Sequence, residues 1–454
     1  MILVTIPQDF STERMYAIDI VMDEILGLDY RIENKHQQDY EILLENGNNV
    51  IIKDHFFSQI PDGSNYLNED FLPKRIDFLK NRFVKGEDIP VIYGSQQLEI
   101  TDQRIVCGID IFASVFFMLS RWEEVVIQAR DTHQRFPATA SLAFEHQFLD
   151  RPVVNEYVEM LRQMLRHLGC QQQGKEKPFT FVLTHDVDAL LKWLGWYHVL
   201  RTAAGDVIKR KQIRTAFSRI REYNQICCGQ VKDPFDTYDW LMDLSESLNL
   251  KSHFYFMSSG LSAAPEDNHS PYPLDSPKAL EIFERIKTRD HVIGIHPGYD
   301  SCNNESLWEA QRKQLEEACG CEVTCGRQHY LRFQVPHTWQ LWENQNMEID
   351  STCGYSDREG FRCGTGHTFS VFNIVTRKKL KLKEQPLVFM DMRNFECGGY
   401  KGKSLFEHNL YRIIDNAKKF NTPVTLLFHN NTFADNAFVR MYEEILKGGG
   451  TPNL

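Results

Sequence analysis

The sequence predicts an α/β protein in two parts, a smaller amino-terminal α/β domain followed by a half built as a β/α barrel. Three observations predict it. Apolar runs of strand length recur along the chain. Beyond residue 178 they alternate with amphipathic stretches of helix length, the mark of a parallel sheet or barrel. Ionisable residues also gather at or just past the carboxyl ends of five of these runs: Thr184-His185-Asp186-Val187-Asp188, His296, His329 to Arg332, Asp391-Met392-Arg393 and His429. In a β/α barrel such strand ends open onto one face, where active sites are built.

Each element follows from local pattern. Ile2 to Ile6 reads as a first strand and Thr12 to Leu26 as a helix, with further apolar runs at Val50 to Ile52 and Pro90 to Tyr93. Asp110 to Val126 carries the 3.6-residue apolar period of a mostly buried helix. A helix from about Val153 to Leu168 precedes Gly169 to Pro178, a stretch of Gly, Gln and Lys without apolar period that reads as a linker. The predicted domains are therefore 1–150, a helix and linker over 151–178, and 179–454. In the second half, strands are expected at Phe179 to Thr184, His253 to Met257, Val292 to His296, near His329 to Phe333, at Pro386 to Met390 and at Val424 to Phe428. Helices are expected at Asp236 to Leu248 and Glu305 to Ala318, and after Ser276-Pro277, a capping residue followed by a proline at the first helical position.

Composition narrows the function. With 42% hydrophobic and 25% charged residues in 454, the chain has material for a large core and for two or three domains. A net charge of −11 argues against nucleic acid or an anionic membrane as partner. The run Lys209-Arg210-Lys211 with Arg214 reads as a solvated helix face. Eleven cysteines without paired Cys-x2-Cys spacing read as free thiols. Neither a leader-like amino terminus nor a long apolar stretch is present, and a cytoplasmic protein is expected.

The chemistry concentrates in a few side chains. Asp186 and Asp188, two apart on extended chain, project to one side, and two such like charges are relieved by a cation or a shared proton. His296 follows Val292 to Ile295, in which Gly294 leaves room for a neighbour to approach. A histidine ending a strand beside paired aspartates suits metal ligation, and His429, at the end of another strand, suits protonation of a leaving amine. The glycine-rich stretch Gly360 to His367, with Arg362 and His367, is a candidate substrate loop; Tyr330, Asp391 and Arg393 are further candidate contacts. Trp193, Trp196, Tyr197, Trp339 and Trp342 read mainly as packing.

Four segments in order carry a family resemblance. Thr184-His185-Asp186-Val187-Asp188, Ile295-His296-Pro297-Gly298-Tyr299-Asp300, Arg327 to Phe333 and Leu426-Leu427-Phe428-His429 resemble the motifs of the polysaccharide deacetylase (NodB-homology, carbohydrate esterase) family over roughly residues 179 to 433. The amino-terminal part resembles the uncharacterised domain that precedes this one in some bacterial proteins. The resemblance implies a distorted TIM-like barrel that removes an acyl group from an N-acetylated carbohydrate. It implies Asp186 as general base, Asp188 and His296 as ligands of a divalent, zinc-like ion, His429 as acid, a backbone N–H near Tyr330 at the oxyanion, and Arg332 or Arg327 orienting Asp186. Val187 stands where the family has its metal aspartate, which moves that role to Asp188. Asp300 stands where the family has its second histidine. Asp300 itself, His329 or His367 could supply the missing ligand, or the site holds no metal. The last option leaves a metal-independent hydrolase of small or cyclic amides, or a sugar-binding protein with lapsed chemistry, as alternatives.

Overall fold

A computed structural model describes residues 1–448 except 62, 85, 87, 259–271 and 392–398, and gives the backbone alone for 399–407. It separates into two compact units, Met1–Phe181 with Tyr330–Leu426, and Val182–His329 with Leu427–Leu454.

In the first unit, β1 (Ile2–Ile6), β2 (Tyr30–Asn34), β3 (Tyr40–Leu43), β4 (Asn49–Ile52), β5 (Asp77–Leu79), β6 (Ile89–Val91), β7 (Gly94–Ile100) and β8 (Arg104–Ile109) come first. Six of them form a mixed sheet in the order β2-β1-β3-β4-β8-β7, and β5 pairs with β6. Helix Ile111–Ser120 is buried along its whole length. The Asp110 carboxylate caps it, accepting hydrogen bonds from the Ala113, His55 and Phe56 backbone N–H groups at 2.9–3.1 Å. The single helix expected to run to Val126 is broken: Arg121 has φ 55°, and a short helix restarts at Glu123. The break turns Arg121 back so that it donates to Glu123 and Glu124. Helix Val153–His167 agrees with the expected span, and residues 170–180 hold neither helix nor strand.

The second unit alternates strands with helices, and residues 330–426, expected in one domain with it, cluster with the first unit instead. Strands β9 (Phe181–Val187), β10 (Ser252–Phe256), β11 (Val292–Ile295) and β12 (Cys325–Gly326) lie side by side in the order β12-β11-β10-β9, and all run parallel. The connecting helices are Tyr238–Ser247, Pro277–Thr288 and Glu305–Cys319. Ser276 caps the second of these by accepting from the Ala279 N–H at 3.3 Å. Gly294 permits the tight packing of β11, since a Cβ there would lie 2.5 Å from the Tyr255 ring and 2.7 Å from the Cys325 carbonyl oxygen.

The expected strand at His329 to Phe333 is absent. The strand ends at Gly326, and His329–Leu331 forms a tight turn in which Tyr330 has φ 59°. Further on lie β13 (Ile349–Asp350), β14 (Phe369–Asn373), β15 (Lys378–Glu384), β16 (Leu387–Met390) and β17 (Val424–Leu427). Within the first unit β15 pairs parallel with β13 and antiparallel with β14.

Candidate metal centre and active site

The second unit gathers six of the predicted residues: Asp186, Asp188, His296, Arg327, His329 and His429. β9 alternates its side chains, so Asp186 and Asp188 share one side while His185 and Val187 take the other. His185 packs its ring against Phe254 and donates from Nδ1 to the Phe428 carbonyl at 2.9 Å. Burial pushes its pKa down to about 3, so it is a neutral core histidine. On the other side Asp188 meets three imidazoles. His296 Nε2 lies 3.4 Å and His329 Nε2 3.8 Å from Asp188 Oδ1, and His429 Nε2 lies 3.6 Å from Oδ2. Asp186 Oδ2 is 3.6 Å from His296 Nε2, and its Oδ1 accepts from Arg327 Nη1 at 2.8 Å.

Electrostatics follow from this crowding. Burial opposes charge on Asp188, but His296, His429 and His329 outweigh it and hold the carboxyl well below the usual range. Burial also opposes protonation of His296, yet Asp186 and Asp188 raise its pKa above the ordinary imidazole value. A cation between these groups would take over the charge balancing that the imidazole proton otherwise supplies.

The donor set fits a divalent transition ion. Ligand atoms of Asp188, His296 and His329 all lie within 4.8 Å of one another, and all three side chains are buried. Two ligand atoms about 2.1 Å from a tetrahedral zinc-like ion sit roughly 3.4 Å apart, close to the observed spacings. His296 donates from Nδ1 to the Arg327 carbonyl at 2.7 Å, which fixes the tautomer and leaves the Nε2 lone pair facing Asp188. Such a backbone partner on the second ring nitrogen is the usual support of a metal-bound histidine.

Several expectations need correction. The third ligand atom of the group comes from His329, which reaches the cluster from a turn. Asp300 is exposed on the short helix Tyr299–Asn303 and lies outside the group. Of the two arginines, Arg327 holds Asp186, and its guanidinium is buried over the Tyr255 ring. Arg332 donates instead to the His133 carbonyl at 3.3 Å. Arg362 is not free to touch a substrate: it is buried, paired with Glu124 and bound to the Gly354 carbonyl. His367 lies in a separate cavity of about 400 Å³ with Asn155, Arg162, Lys177 and Phe420, none of which belongs to the Asp188 group. Burial first, then Lys177 and Arg162, push its pKa down to about 3. Asp391 is buried directly after β16, and Arg393 falls outside the described residues. Trp193, Trp339 and Trp342 are core residues, as packing predicts, but Trp196 and Tyr197 are exposed.

One contribution escaped sequence reasoning. Arg135, in the half without an evident constellation, donates to the Tyr330 carbonyl at 2.7 Å, and His133 packs its ring on Tyr330 at 4.9 Å. These contacts lie within the first unit. Nothing local in Asp131 to Arg135 signals the contact, because its partner lies 195 residues away.

Comparison with known proteins adds little beyond this geometry. Residues 2–169 match the model of DUF7033, a family of unknown function. No curated protein matches the chain. A solved structure of a provisionally assigned polysaccharide deacetylase from Mycobacterium smegmatis is similar at 16% identity and a TM-score of 0.36, over 62% of this chain and 86% of that one. The chain carries a buried Asp/His/His group able to hold a metal ion, within an α/β architecture.

Proposed function

We propose that this chain is a hydrolase that cleaves the amide bond of an N-acylated carbohydrate, with a divalent ion held by Asp188, His296 and His329. The observation that supports it most is the division of labour around Asp188: two imidazoles face Oδ1 as ligands, while His429 faces Oδ2 and stays outside the ligand group. The carbohydrate part of the reading rests on the resemblance of the four segments to the deacetylase motifs. When bound, the ion supplies Lewis acidity, polarising the amide carbonyl and lowering the pKa of a water.

The chain's own residues do the rest. Arg327 fixes Asp186 through Oδ1, leaving Oδ2 turned toward the cluster to accept a proton from the attacking water. The water oxygen bonds to the carbonyl carbon, the carbon–nitrogen bond breaks, and His429 delivers a proton to the departing amine. His296 stays in place through its bond to the Arg327 carbonyl, so one residue, Arg327, positions both the base and a ligand.

Acetate release from N-acetylated amino-sugar oligomers tests the reading. Asp186→Asn and His429→Gln should each lower turnover by roughly 10²–10⁴-fold while leaving the fold intact. Turnover unchanged in both variants, or no acylated sugar turned over by the metal-loaded chain, would overturn it.

A further inference from the structure

The segment after Asp188 forms a two-helix hairpin, Trp196–Ile208 and Ile213–Cys227, whose surface is unlike the rest of the molecule. Seven of the fourteen large hydrophobic side chains exposed among the described residues fall between Trp196 and Phe217. Tyr197, Leu200 and Ile208 form a stripe on the first helix, and Ile213 and Phe217 continue it on the second; Tyr197, Ile208 and Phe217 are 80%, 76% and 70% exposed. The first helix also buries Val199 and Ala203, so it is apolar on both its inner and its outer face. A helix of that kind has a second apolar environment to satisfy.

Charge identifies that environment. Over the hairpin Trp196–Cys227 the chain has seven cationic side chains and two acidic ones, Asp206 and Glu222, the latter paired with Lys192, within a chain of net charge −11. Asp206 is buried and already paired with Arg210 and Arg219. Arg201, Lys209, Lys211, Arg214 and Arg221 have no acidic partner among the described residues. The basic run at Lys209 to Lys211 occupies the turn of the hairpin, not a helix face as its sequence suggests, so its charge sits beside Ile208 and Ile213. Exposed Trp, Tyr, Phe and aliphatic side chains interleaved with unpaired Lys and Arg are the composition of a helix that lies in a lipid interface. A second copy of the hairpin would bring like charges together. Nucleic acid would satisfy the cations but leave Leu200, Ile208 and Ile213 in water.

We propose that the hairpin Trp196–Cys227 docks the protein on an anionic lipid surface, with its apolar stripe in the headgroup boundary and its cations against lipid phosphates. It lies on the surface and does not cross it, since no described helix is long and apolar enough to span a membrane. Trp196 is the eighth residue after Asp188, a reach of at most about 28 Å, so docking would hold the Asp188 cluster close to the lipid plane. The proposal stands on exposure and charge alone and does not depend on the hydrolase reading.

Sedimentation of the full chain with vesicles tests it. The protein should sediment with phosphatidylglycerol–phosphatidylcholine vesicles at low salt and stay in solution with phosphatidylcholine alone. Each Lys or Arg at an anionic surface contributes roughly fivefold in partitioning, so Lys209→Gln, Lys211→Gln and Arg214→Gln together should weaken binding about 100-fold. Ile208→Ser with Phe217→Ser, both exposed, should abolish it. If that pair disturbs folding, the charge variant still decides. No sedimentation with anionic vesicles, equal binding by the charge variant, or hairpin-dependent binding to a single-stranded oligonucleotide or to a second copy in place of vesicles overturns the proposal.

Discussion

Two buried clusters of charge, one in each unit, are built to opposite ends. In the first unit Arg121 and Arg362 clasp Glu124 from two sides, each Nε at 2.9 Å from Oε1, with Glu123 and the Tyr355 hydroxyl as further partners of Arg121. Burial alone would raise the Glu124 pKa, but Arg362 and Arg121 pull it below the ordinary value. That network is closed by short contacts. In the second unit the imidazoles face Asp188 at 3.4–3.8 Å, a wider spacing, close to that of ligand atoms around one ion. The first cluster ties its unit together through short ion pairs; the second sets its ligand-type atoms at a spacing that could hold a metal ion.

Changes on each side of this comparison should separate activity from stability. The largest effect expected is the 10²–10⁴-fold loss of turnover in His429→Gln, with little change in unfolding free energy. Glu124→Gln should do the reverse, destabilising the chain by about 3–5 kcal/mol in denaturant unfolding because buried arginine charge loses its partner. Its turnover per folded molecule should stay near that of the parent. Equal damage to both properties by both variants would erase the distinction. Gly294→Ala should cost about 1–3 kcal/mol, since the added Cβ meets the Tyr255 ring and the Cys325 carbonyl in the packed β10–β11–β12 region.

The smallest effect is a pH dependence shared by both units. His185 and His367 have folded-state pKa values pushed down to about 3, chiefly by burial, against about 6.5 in the unfolded chain. Below pH 6.5 the unfolded chain binds protons that these folded side chains refuse, so their contribution is present above that pH and lost as pH falls toward 3. Each accounts for at most about 1.4 kcal/mol per pH unit in that window. Unfolding midpoints of His185→Gln and His367→Gln should fall less steeply with acid than those of the parent; identical slopes would contradict the assignment.

Much of the second unit was legible because local rules decide it. Apolar runs marked β9, β10 and β11 to within a few residues, Ser276-Pro277 marked a helix start, and the placing of Asp188, His296 and His429 just past strands followed from run ends, while Asp186, expected past the strand, lies within β9. What stayed hidden depends on distant partners. Arg121 breaks its helix to reach Glu123 and Glu124, and Arg362 pairs with a glutamate 238 residues away, so a loop arginine that reads as a substrate contact becomes a core group. His329 reads as a strand residue but reaches the cluster from a turn whose Tyr330 and Leu331 have positive φ. The choice between Arg327 and Arg332 turned on a strand that lies at Cys325–Gly326 where one was expected near His329 to Phe333, a boundary that apolar pattern alone fixes poorly.

On the proposed reading Asp188, His296 and His329 form one metal site to which Asp300 does not belong. Zinc titration of the metal-stripped full chain tests it most directly. Parent protein and Asp300→Ala should each bind about one ion per chain with similar affinity, and His329→Ala should bind at least roughly tenfold more weakly. Unchanged affinity in His329→Ala alongside loss in Asp300→Ala would contradict the account, as would a parent protein that takes up no ion.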